Sequence, residues 1–280
     1  MKKLFHSFIL LFVILPLLNI YSVFACEAVP QLVMDTVQAK KVTLVGEFHG
    51  TVETPQAFYN LVCNVMDQNK DELLTVGLEL SSVPNIELTD QASLEKWLAA
   101  DEEWVAPHDG RSSQAMYQLL QRLVQDKQSH PNLSILLFNV PTGKVEPLMA
   151  KKIINAYNGQ RMLILTGNFH AKLKQTNEPD FANAPAPMGH YIYSKYPHQT
   201  TNIYITYNGS TQWAREGDTF GVFAVGKSKS TAPHQARLLS AAETEMTGYQ
   251  TIWNVGEAHA SYPQIHTEKD DNPHMPHLQN

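Results

Sequence analysis

"VTLVGEFHGT" (residues 42–51) and "MLILTGNFHA" (residues 162–171) are the two stretches that decide how this chain folds. Each is an apolar run that halts at a glycine, passes one residue and sets down Phe-His before a small residue. Such a run, rich in Val, Ile and Leu, is expected for a strand covered on both faces. The glycine lets the backbone leave the sheet tightly and keeps space open beside the polar residues that follow.

Similar runs lie at 73–80 ("LLTVGLEL"), 133–140 ("LSILLFNV") and 201–207 ("TNIYITY"). Helical spacing fills the gaps. Residues 53–69 carry Phe58, Leu61, Val62, Val65 and Met66, and residues 112–125 carry Met116, Leu119, Leu120, Leu123 and Val124 behind Ser112 or Ser113 as cap. Residues 87–99 offer Leu94, Trp97 and Leu98 with Thr89 as cap, and residues 145–157 end before Gly159. Strands alternating with helices predict an α/β fold: a mainly parallel sheet with helices on both faces. A single domain is expected over 26–262, with late mixed strands at "FGVFAVG" and "YQTIWNVG" and a disordered tail over 263–280.

The first 25 residues have the pattern of a signal peptide: Lys2 and Lys3, a long apolar stretch, and Val23-Phe24-Ala25 before the cut. The protein is therefore expected to be exported, periplasmic or secreted. Cys26 would then come first, which suits either a lipid anchor or a disulfide to Cys63, the only other cysteine; a free, buried Cys63 is the third option. Membrane association is expected only if Cys26 is lipidated. Loss of the two lysines takes the formal charge from −6 to −8, which gives no electrostatic reason to bind nucleic acid.

Open parallel sheets take ligands at the carboxyl ends of their strands. Glu47 and His49 follow the first strand, Glu79 ends the second, and Asn168 and His170 follow the strand at 161–166. Residues two apart in an extended chain share a side, which would pair Glu47 with His49 and Asn168 with His170. Such a set could hold a divalent metal, with Glu47, His49 and His170 as ligands, or work without one as an acid–base pair. Neither Gly-x-Ser-x-Gly nor His-Glu-x-x-His occurs, so a serine nucleophile elbow and a helix-borne zinc site are excluded. Arg111, in "PHDGRSS" (107–113), stands beside a helix start, where it is a candidate to bind an anionic substrate group or to pair with Glu79 or Glu47, or else is a surface arginine beside a cap.

The segments "LVGEFHGTVETPQ", "GLEL" and "LTGNFHA" together resemble the ChaN / EreA / TIKI-like superfamily of haem-binding uptake proteins, erythromycin-esterase-like hydrolases and TIKI-type proteases. Gly46 to His49 and Gly167 to His170 match its paired Gly-x-x-His motifs, and Glu79 matches the acid ending the second strand. Gly50-Thr51 with Glu53 is similar to the "HGT-x-E" of the esterase branch, with the spacing from Gly46 one residue shorter. The resemblance implies an α/β fold with a cleft at these motifs, and no single activity.

Hydrolysis is the first expectation: Glu47, His49, Glu79 and His170 as catalytic groups, with Arg111, Glu53 and Asn168 binding a small molecule or peptide. The alternative is a haem-binding protein of iron uptake, with His190 and Tyr191 of "PMGHYIYSKYPH" (187–198) in a loop as haem contacts. A non-catalytic binding domain is the third. The segment 171–198 is the expected cover of the cleft.

Overall fold

The computed structural model describes residues 26–105, 109–175, 184–228 and 231–264. The expected signal peptide, His108 and nearly all of the expected tail lie outside them.

The chain enters through α1 (Gln31–Ala39) and proceeds as β1 (Val42–Glu47), α2 (Glu53–Gln68), β2 (Leu74–Ser81), α3 (Gln91–Ala100) and α4 (Glu102–Val105). After a 3-10 turn at Gly110–Ser112 come α5 (Gln114–Ser129), β3 (Leu133–Asn139), α6 (Val145–Ala156), β4 (Arg161–Gly167) and α7 (Met188–Lys195). Then follow β5 (Thr200–Thr206), β6 (Thr211–Glu216), β7 (Thr219–Ala224), β8 (Ala236–Leu238), α8 (Ala241–Thr247) and β9 (Thr251–Asn254). Seven strands form one sheet in the order β3-β2-β4-β1-β5-β9-β8, parallel except for β8 on β9; β6 and β7 form a separate antiparallel pair.

Alternation along the strands divides the core between the two faces of the sheet. Val45, Leu163, Leu165, Ile203 and Ile205 face α1, α2 and α5, packing on Val37, Phe58, Leu61, Leu119 and Leu123. Val42, Leu44, Met162 and Ile164 face α6 and α7, packing on Met149, Ile153, Met188 and Ile192. Each such buried side chain contributes about 1.5–3 kcal/mol, so the sheet is held from both sides. β1 lies between β4 and β5, which sets the two motif strands side by side; Glu47 stands opposite Gly167 and Gly46 opposite Thr166.

Several boundaries differ from expectation for local reasons. α3 is capped by Asp90, whose carboxylate accepts from Ser93 N, rather than by Thr89. Ser113, not Ser112, caps α5. Residues 188–195 were expected as loop but are helical, because Met188 and Ile192 supply a buried stripe four residues apart. The first residues of the expected tail are tied down: Gln264 N donates to Ser112 O, and Pro263 bridges to Ser113. Cys26 and Cys63 form a disulfide, and a sulfur so engaged is not available to a lipid thioether. Among the described residues, no helix is long and apolar enough to cross a membrane.

Candidate active site

The carboxyl ends of β1, β2 and β4 bring Glu47, His49, Glu79 and His170 together. Glu47, the last residue of β1, is buried, and its Oε1 accepts from His49 Nδ1 at 2.9 Å. Glu79 is also buried; its Oε2 accepts from Thr166 Oγ1 at 2.6 Å and Gly167 N at 2.7 Å. Its Oε1 faces both imidazoles, 3.8 Å from His49 Nε2 and 3.5 Å from His170 Nε2.

His170 does not pair with Asn168, because the chain turns after Gly167 and strand alternation ends there. Its Nδ1 lies instead 2.8 and 3.0 Å from the two oxygens of Glu146, a buried residue in the first turn of α6 that also accepts from Met188 N at 2.7 Å. Asn168 serves through its backbone: its N donates to Glu47 O at 2.8 Å, and its carbonyl accepts from Tyr249 Oη.

Arg111 reaches the cluster, but it arrives committed. It is held at 2.8 Å by Asp109 and lies 3.5 Å from Glu103 and 3.6 Å from Glu79. Its turn is pressed against the first motif so closely that a Cβ on Gly110 would lie 2.2 Å from Gly50 N. Glu53 is turned elsewhere, accepting from His259 Nδ1 at 2.7 Å and His259 N at 2.8 Å. His190 and Tyr191 sit on α7 with their rings edge to face, centroids 5.8 Å apart, and Tyr191 is exposed.

Charge and burial set the protonation states. Burial alone would depress His49, but the hydrogen bond to Glu47 and the charge of Glu79 outweigh it and push its pKa up to about 10. The same balance, with Glu146 and Glu79 as partners, raises His170. Burial pushes Glu47 up, against the pull of His49. Burial also opposes ionisation of Glu79, yet His170, His49 and Arg111 hold its carboxyl well below the usual range.

No three of Glu47, His49, Glu79 and His170 bring one donor atom each to within 4.8 Å of one another; among the described residues only Cys26, Cys63 and Asp67 do, and those two sulfurs are bonded to each other. Since opposite ligands of a small divalent ion stand about 4 Å apart, the cluster as arranged does not fit a single ion. Its donors are engaged with one another.

Sequence reasoning did not reach Glu146, Asp109, Glu103 or Tyr249 as parts of the site. Glu146 carries the pattern of any acid in a first helical turn, and its meeting with His170 across 24 residues has no local signal.

The fold and this cluster define an α/β protein with a paired His–carboxylate cleft. Its fold is similar to that of an erythromycin esterase variant, EreC in its open conformation, which superposes with a TM-score of 0.58 at 10% identity, over 83% of this chain and 94% of that one. A succinoglycan biosynthesis protein matches at 0.56 and 8% identity, over 84% and 92% of the two chains. A Bacillus cereus protein matches at 0.54 and 11% identity, over 85% and 93%. No protein-family model matches the sequence, and no curated protein matches it in a sequence search.

Proposed function

We propose that this chain is an exported hydrolase that cleaves an ester or related acyl bond of a small molecule with water activated at the paired imidazoles. One observation carries the proposal. Each histidine has its Nδ1 anchored on a carboxylate of its own, Glu47 or Glu146, and both turn Nε2 toward the same oxygen of Glu79. That arrangement orients two proton-carrying atoms into one space, which a structural histidine does not require. The likeness of the fold to that of an esterase supports the same chemistry, and the disulfide fits an oxidising compartment.

The two imidazoles divide the work between them. Carboxylate partners raise both; His170 serves as general base once it has lost its proton, and His49 serves as general acid. Water gives a proton to His170 Nε2 as its oxygen bonds to the carbonyl carbon. When the intermediate collapses, the carbon–oxygen bond breaks and the leaving alcohol takes a proton from His49 Nε2. The proton on His170 then passes through solvent to restore His49, leaving an acid and an alcohol. Arg111, held by Asp109, adds fixed positive charge beside Glu79.

The test is turnover of a panel of aryl esters and lactones by the purified protein and by folded His49→Ala and His170→Ala variants. Each variant is expected to lose roughly 100-fold or more, the usual share of a general acid or base. A chelator is expected to leave turnover unchanged. Equal turnover by both variants and the parent on every cleaved substrate overturns the proposal.

A further inference from the structure

A second cavity, of about 470 Å³, opens beside the first half of α2 and away from the imidazole cluster. Its walls come from residues 27–30, from Glu53, Gln56, Ala57 and Asn60 of α2, and from His234, Trp253 and Val255. This is the size of an ordinary small-molecule site. Its charged lining residues are Glu27 and Glu53, with neither lysine nor arginine among them.

The walls are fixed in place. Glu27 follows the Cys26–Cys63 disulfide, its N donates to Asn60 Oδ1 at 3.3 Å, and its Oε2 accepts from Asn60 Nδ2 at 3.2 Å. Asn64 Nδ2 holds Glu27 O at 2.9 Å. His234, also in the lining, adopts φ 57°, an uncommon conformation for a non-glycine residue. Its ring lies where a side chain on residue 256 would stand: a Cβ on Gly256 would come within 2.7 Å of His234 Cε1. The cavity is thus lined by one imidazole, two carboxylates, two amides and an indole, with the apolar Ala57, Val29 and Val255; Glu53 also accepts from His259 and Glu27 from Asn60.

We infer that this cavity binds a small organic cation, an amine or quaternary ammonium with an apolar body. Carboxylates at a half-enclosed wall focus negative potential, and an indole favours an ammonium over a neutral group of the same shape. The apolar lining takes the hydrocarbon part. The inference is independent of the proposed hydrolysis.

Calorimetric titration of the full chain with phenethylamine, and with 2-phenylethanol as its neutral counterpart, tests this. Saturable amine binding is expected, weakened by salt, with the alcohol binding at least roughly tenfold more weakly, about 1.4 kcal/mol. Glu27→Gln is expected to weaken the amine several-fold and Glu27→Lys to abolish its binding, with circular dichroism unchanged. His49→Ala/His170→Ala is expected to bind the amine as the parent does, which separates this cavity from the cleft. Absence of amine binding, equal binding of amine and alcohol, indifference to Glu27→Lys, or loss of binding in the histidine double variant overturns the inference.

Discussion

Tyr249 Oη occupies the space that a side chain on Gly46 would need: a Cβ there would lie 2.0 Å from it. From that position Tyr249 donates to Asn168 O, so the glycine of the first motif makes room for the group that holds the backbone of the second. Tyr249 is itself stacked on Tyr204, with centroids 4.8 Å apart. Gly46→Ala is therefore expected to expel the tyrosine and to cost about 1–3 kcal/mol, the scale of overpacking in a filled core. Tyr249→Phe, which removes only the hydroxyl, is expected to cost about 1 kcal/mol. Chemical denaturation of both variants checks the order; a Gly46→Ala protein as stable as the parent rules out the steric account.

The pH dependence of turnover follows from the two histidines. The base, His170, works once it has lost its proton, so activity is expected to rise with pH through its raised pKa. The acid, His49, works while protonated, so activity is expected to fall as pH passes about 10. A bell displaced to the alkaline side is the predicted profile, its limbs belonging to the coupled pair. A profile that falls between pH 7 and 9 contradicts this assignment of roles.

Glu146→Gln keeps the shape of the contact to His170 and removes its charge. Since Glu146 helps to raise His170, the acid limb of the profile is expected to move to lower pH while the alkaline limb stays with His49. Turnover at the optimum is expected to fall by roughly tenfold as the ring loses its orientation. Carbon-detected NMR titration of the imidazoles reads the same shift without substrate, and an unmoved His170 would show that Glu146 only packs.

Stability and activity should part company at high pH. His49 has a folded pKa near 10 against an ordinary 6.5, so its contribution is complete below about 6.5 and is lost as pH rises through 10. Glu79 is depressed, so its contribution is complete above its ordinary 4.5 and is lost as pH falls through the folded value. Both are fully present only between about 4.5 and 6.5, where Tm should be highest on their account. His49→Gln is expected to flatten the alkaline decline in a series of thermal melts. An unchanged slope would move the origin of that decline to other groups.

Reducing the Cys26–Cys63 disulfide frees a loop spanned by 37 positions. Chain entropy assigns such a closure about 3–4 kcal/mol. Denaturation of the Cys26→Ser/Cys63→Ser double variant is expected to show that loss. Glu27 sits next to Cys26, so amine binding in the second cavity should weaken with it.

The parts of this molecule that were legible in its sequence are those whose signals are local. Val42–Val45, Leu74–Leu78 and Met162–Leu165 advertise buried strands by composition, and the expected contact of Glu47 with His49 is made, although His49 lies in the bend past β1. Pairings made by the turn after Gly167 were not legible, because an alternating pattern carries no record of where it stops. His170 was seen, but its partner Glu146 arrives from another helix. α7 was hidden by its shortness, its buried stripe resting on Met188 and Ile192. β6 and β8 expose much of their surface and so lack the apolar runs by which strands are recognised.

The register of β1 against β4 carries one more consequence. The two Gly-x-Phe-His steps look like copies, yet Glu47 rather than Gly46 stands opposite Gly167. The copies run one residue out of phase, and in a pleated sheet a single step reverses the side to which every residue points. One imidazole therefore reaches the cleft from the bend just past β1 and the other from the turn after β4, and they come to rest on different carboxylates. Like motifs, mounted half a wavelength apart, become unlike halves, and exchanging Glu47 and Asn168 between them would not yield the same machine.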